Sequence, residues 1–112
     1  MKYIVSLLLA TLFLTSCSEY QKVLKNEEPA PKFDLAKTLY EKGVETGRSK
    51  YFTRSIRLFE QILPQYRGKP QGQILAYMNA NAYYLNGDYY TSAYLFERFA
   101  QSYPTSEKTE EA

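Results

Sequence analysis

The stretch AYYLNGDYYTSAYLFERFAQSYP, Ala82 to Pro104, decides how this chain is built, because it has an earlier counterpart. A shift of 37 residues lays it on YFTRSIRLFEQILPQYRG, Tyr51 to Gly68. Phe52 then meets Tyr89, Ser55 meets Ser92, Phe59 meets Phe96 and Glu60 meets Glu97. Ile62 meets Phe99 and Tyr66 meets Tyr103; further upstream, Tyr40 meets Tyr77 and Gly43 meets Ala80. The residues repeat in kind as well as in spacing. In each copy one helical stripe results, Phe52, Ile56, Phe59 and Ile62 in the first, Tyr89, Ala93, Phe96 and Phe99 in the second. A helix pair cannot cover such a stripe alone; stacking on a neighbouring pair does so.

Working outward, Asp34 is a plausible N-cap for a helix over Leu35 to Arg48. A second helix covers Phe52 to Tyr66, with Pro64 giving it an irregular finish and Leu63 its last secure residue. Gly68, Lys69 and Pro70 make a loop before a third helix, Gln71 to Leu85, which stops at Asn86-Gly87. A fourth runs from Tyr89 to Tyr103, before Pro104, and nothing reads as a strand. Two helices per unit at this period indicate tetratricopeptide-type repeats, an all-α chain forming the start of a right-handed α-solenoid. Repeat one spans about residues 35–69 and repeat two about 70–105. The second unit carries the pattern best, with Ala80, Tyr83, Gly87-Asp88-Tyr89, Ser92, Phe96 and Pro104. The first has Thr46 in place of Tyr83 and Arg67 in place of Pro104. Ser106 to Ala112 reads as the opening of a third, truncated pair, so Phe96 and Phe99 are expected to be partly uncovered.

The N-terminal end tells where such a domain would sit. Met1-Lys2 is a short positive start, and Tyr3 to Leu14 is an almost unbroken apolar run. It is too short to span a bilayer, which takes about 20 residues, and it fits the apolar region of a secretory signal. Thr15-Ser16-Cys17 resembles the end of a bacterial lipobox, which implies cleavage after residue 16 and acylation, palmitate included, at Cys17. Acyl chains anchor firmly because each buried methylene contributes about 0.8 kcal/mol. The competing readings are a buried cysteine in an N-terminal helix and an ordinary signal peptide. Ser18, in place of an aspartate, favours the outer membrane by resemblance to the usual sorting rule. Residues 17–33 then read as the lipidated cysteine and a polar tether, finishing extended at Pro29-Ala30-Pro31.

Composition narrows the chemistry. The 14 basic and 12 acidic residues nearly balance, which gives no support for nucleic-acid binding. There is no His, so imidazole-based acid–base and triad chemistry is excluded, and a metal would have only carboxylates to bind. Gly-rich phosphate loops are absent. No enzymatic activity, metal or cofactor is expected. The 12 tyrosines suit helix seams and peptide-binding surfaces alike.

Lipobox, tether and repeats together resemble the BamD family, the outer-membrane lipoproteins of the β-barrel assembly machinery. CSEYQKVLK, LYEKG, YFTRSIRLFEQILPQYRG and AYYLNGDYYTSAYLFERFAQSYP carry the likeness, with SEKTEEA at the end. What the resemblance implies is a non-enzymatic scaffold on the periplasmic face of the outer membrane. Its partners would be a β-barrel insertase subunit, other assembly lipoproteins and unfolded outer-membrane protein segments. In that architecture the first helix of each unit lines a concave peptide groove. The corresponding positions are Lys37, Tyr40, Val44 and Arg48 in the first unit, and Ile74, Tyr77, Asn81 and Tyr84 in the second. Asn81 would bond a peptide backbone, Arg48 a carboxylate, and the tyrosines aromatic side chains. Against this stands plain packing of Tyr77 and Tyr84 with solvated Arg48 and Lys37. The alternative functions are a lipid-anchored periplasmic repeat protein that binds glycans or other nutrients, and one that coordinates cell-wall enzymes.

Overall fold

The computed structural model describes residues 19–104, and over that range it is built from helices joined by short turns. A short helix α1 covers residues 19–25. It is followed by α2 (Pro29–Thr46), α3 (Ser49–Ile62), a 3-10 turn (Leu63–Tyr66), α4 (Pro70–Leu85) and α5 (Tyr89–Ser102). No strand occurs among the described residues. The chain is all-α, with α2–α3 and α4–α5 as tandem helix pairs and α3 packed on α4 between them.

The helix starts show where local chemistry prevails. The segment expected to be an extended tether is helical over residues 19–25 and again from Pro29, so α2 begins five residues before the expected N-cap Asp34. Pro29 and Pro31 fall among the first four helical positions, whose N–H groups have no intrahelical carbonyl to bond. The missing donors therefore cost nothing there, and the fixed φ of proline suits the first turn. Asp34 lies exposed inside α2, where its carbonyl accepts the Thr38 hydroxyl at 3.0 Å. At the other end, Gly47 adopts φ 72° and its N–H bonds the Gly43 carbonyl at 2.8 Å, which ends α2 before Arg48. Pro64 has no N–H to continue the α-helical ladder, and α3 gives way to the 3-10 turn after Ile62.

The first stripe is buried throughout: Phe52, Ile56, Phe59 and Ile62 all lie in the interior. Phe59 and Ile62 join Ala36 and Leu39 of α2, Leu58 of α3, and Leu75 and Met78 of α4 in the principal core. Tyr20 of α1 completes it, so α1 closes the first pair from its free side. The second stripe splits. Phe99 is buried, contrary to expectation, because Tyr77 and Tyr103 stack against it with ring centroids 5.8 and 5.2 Å away. Phe96 is half-buried, while Tyr89 and Ala93 stand exposed. Ser55 and Ser92, paired by the repeat, are both buried, as small residues at helix contacts must be.

Two glycines are fixed by contact. A Cβ on Gly43 would lie 2.7 Å from the Phe52 ring, so the ring can rest on α2 only because that position has no side chain. At Gly72 a Cβ would collide with the Tyr66 carbonyl oxygen, and its absence lets the 3-10 turn meet α4 backbone to backbone.

Candidate functional site

The groove positions come from α2 and α4, the first helices of the two pairs. Their successive residues are spaced so that one face of each helix carries them, Lys37, Tyr40 and Val44 on α2 and Ile74, Tyr77, Asn81 and Tyr84 on α4. Arg48 lies just beyond α2, at the N-cap of α3, and is exposed. Lys37 is exposed, and the apolar side chains of Val44 and Ile74 are both 55% exposed. Two exposed aliphatics of this size on first helices are the open apolar surface of the face.

One direct contact joins the two units across it. The Asn81 amide nitrogen donates to the Tyr40 hydroxyl at 2.7 Å, over a sequence separation of 41 residues. Asn81 is thereby held in one orientation by α2, and an amide oxygen of this kind is an acceptor suited to a peptide N–H. Tyr40 itself is a packing residue. Its ring meets Phe52 and Phe59 edge-on, each at 6.4 Å between centroids.

Tyr77 repeats that arrangement one unit later, edge-on to Phe96 at 5.7 Å and to Phe99 at 5.8 Å. The repeat therefore preserves a device, a tyrosine on the first helix wedged between two rings of the second. Edge-to-face pairs at these separations contribute about 0.5–1.5 kcal/mol each beyond burial. Tyr40 and Tyr77 give rigidity to the face, whereas Tyr84 is 52% exposed and presents a ring to it. Tyr84 is steadied by Tyr89, edge-on at 5.3 Å.

Two side-chain pairings were not legible in the sequence, those of Lys32 and of Tyr83. Lys32, a buried lysine, donates to the Leu24 carbonyl at 3.1 Å and to Gln61 Oε1 at 2.5 Å, tying α1, α2 and α3 together. Nothing in periodicity marks a lysine three residues past a proline for burial; only the unexpected helix start brings it inward. Tyr83 donates to Glu60 Oε1 at 2.7 Å and links α4 to α3. Burial, then that hydrogen bond and the charges of Glu60 and Asp88, push the Tyr83 phenol up to about 12. Its counterpart in the first unit is Thr46, which instead turns back to the Lys42 carbonyl.

Among the described residues no helix is long and apolar enough to cross a membrane, and no group of three His, Cys, Asp or Glu could hold a metal. Cys17 lies outside the described residues. A search of curated proteins found no match, and a search of solved structures found none. Residues 34–112, from within α2 to the last residue of the sequence, match the family model YfiO, described as outer membrane lipoprotein. That match takes in α2 from residue 34 and the whole of α3, α4 and α5, and the chain belongs to the YfiO family of outer membrane lipoproteins.

Proposed function

We propose that this protein is a non-enzymatic scaffold, held at the periplasmic face of the outer membrane by acyl chains on Cys17. It takes part in the assembly of outer-membrane β-barrel proteins, as BamD-type lipoproteins do. Its groove face receives short extended segments of unfolded barrel proteins, and neighbouring surfaces meet an insertase subunit and other assembly lipoproteins. The observation that carries this reading is the match of residues 34–112 to an outer membrane lipoprotein family. The groove is compatible with it. Val44, Ile74 and Tyr84 offer exposed apolar surface on one side of the helix pairs, with Asn81 oriented beside them. Extended chains are bound by such surfaces through side-chain pockets and a few fixed polar groups.

Affinity purification of the full-length lipoprotein from detergent-solubilised outer membranes, with mass spectrometry of its partners, tests the reading. Recovery of a large barrel protein with periplasmic polypeptide-binding domains is expected. A glycan transporter or a set of cell-wall enzymes in its place would overturn it. The glycan alternative draws on one specific feature, the exposed rings of Tyr89, Tyr90 and Tyr94 along α5, which resemble the flat platforms on which sugars stack.

A further inference from the structure

On the side of α4 away from the groove, a cleft of about 520 Å³ opens between α4, α5 and the turn that follows α3. Gly72, Ala76 and Asn79 form its wall on α4. At about 100° per residue these three fall on one edge of the helix, and the groove positions Ile74, Tyr77, Asn81 and Tyr84 centre about 150° away. The two surfaces are therefore separate, and a ligand in one does not touch the other.

The lining is chemically one-sided. Leu63, Leu95 and Phe99 give it an apolar floor, while Arg67 from the turn and Arg98 from α5 are its two charged lining residues. Among the described residues that line it, no carboxylate balances them. Arg98 also rests on the Tyr94 ring at 5.8 Å and donates to its hydroxyl at 3.3 Å, which directs the side chain along α5.

A second, independent feature lies at the same place. Asn79 is only 2% exposed, and its side-chain carbonyl oxygen has no hydrogen-bond partner. Buried polar atoms are nearly always paired, and an orphaned one is costly. The three groups ask for three things at once: carboxylates for the arginines, an N–H donor for the Asn79 oxygen, and an aliphatic or aromatic side chain for the floor. A polypeptide supplies all three. A phosphatidylglycerol headgroup has negative charge and no N–H.

We propose that this cleft is a second polypeptide-binding site, distinct from the groove, for an acidic segment of a partner protein in which carboxylates flank an apolar side chain. The volume is within the range of sites that enclose a small ligand, enough for one large side chain and the backbone on either side of it. The arginines hold the carboxylates by charge-assisted hydrogen bonds. Asn79 accepts a backbone N–H and so fixes the register of the segment.

The test is fluorescence anisotropy of the full-length lipoprotein in detergent with a labelled decapeptide of alternating glutamate and leucine or phenylalanine. Saturable binding is expected, and the same peptide with lysine for glutamate should bind about tenfold more weakly or worse. Arg67→Gln combined with Arg98→Gln should weaken the acidic peptide by about tenfold or more. Asn79→Leu separates recognition from packing: it should raise Tm, by removing the orphaned oxygen, and still weaken the peptide. Ile74→Ala and Tyr84→Ala, in the groove, should leave this binding unchanged. Absence of binding to the wild type, or equal binding by the double arginine variant, would overturn the proposal. So would loss through the groove variants alone, or displacement of the peptide by phosphatidylglycerol vesicles. Failure here leaves the assembly reading standing, because that reading is tested by purification of partners and by the groove.

Discussion

Gly43 is the residue on which the first helix pair closes. The Phe52 ring occupies the space a Cβ would need. Gly43→Ala is therefore expected to cost about 1–3 kcal/mol, the usual range for overpacking, read as a lower midpoint in urea unfolding; an unchanged midpoint would show that the ring shifts freely. Tyr83 gives a pH signature at the same scale. Its folded-state value of about 12 exceeds its ordinary 10.0, so the stability it contributes is fully present below pH 10. That contribution is lost as the pH climbs through 12. Tyr83→Phe should flatten this alkaline limb of the stability profile, and an identical limb in the variant would place the shift elsewhere. Residue identities of this kind were only partly legible in the sequence. The small residue at position 43 stands out by repeat alignment and the tyrosine at 83 by the tetratricopeptide pattern, but the Glu60 partner does not. It is assembled by the crossing of α3 and α4, and no local pattern records a crossing.

At the scale of helices, the stops of α3, α4 and α5 and the buried stripe of α3 follow from spacing, Gly and Pro, and the structure agrees within a residue or two. The beginning of the fold does not. Pro29-Ala30-Pro31 has the composition of an extended linker, and only the orphaned donors of a first helical turn make it equally good as a helix start. That earlier start carries Lys32 to the junction of α1, α2 and α3. Lys32→Ala should leave the Leu24 carbonyl without its protein donor and release α1, for about 1–3 kcal/mol. Hydrogen exchange across residues 19–25 should then accelerate selectively, and unchanged protection there would show that Tyr20 alone holds α1. In the second pair, Phe99 has the role that Ile62 has in the first. Phe99→Ala should cost about 3–5 kcal/mol, measured by thermal unfolding, since it removes the ring on which Tyr77 and Tyr103 both rest. A loss below about 1 kcal/mol would mean that the pair collapses around the gap.

For the whole molecule, the two helix pairs form a rigid frame by repeating one wedge, Tyr40 in the first and Tyr77 in the second. The groove of the sequence reading is thus of two kinds. Tyr40 and Tyr77 hold the frame and Asn81 couples the units through Tyr40, while Val44, Ile74 and Tyr84 are exposed. Spacing placed all of these on one face of their helices, but spacing cannot distinguish a tyrosine that packs from one that presents its ring. That depends on which partner rings the neighbouring helix brings, Phe96 and Phe99 for Tyr77 and only Tyr89 for Tyr84. The most direct test of the central claim is site-specific photo-crosslinking in cells that synthesise outer-membrane proteins. A photoreactive residue is placed at Ile74 or Tyr84 in the groove, and at exposed Arg57 on α3 as control. Adducts with newly made barrel proteins are expected from 74 and 84 and none from 57. Equal capture from 57, or none from the groove positions while barrel proteins are being made, would contradict it.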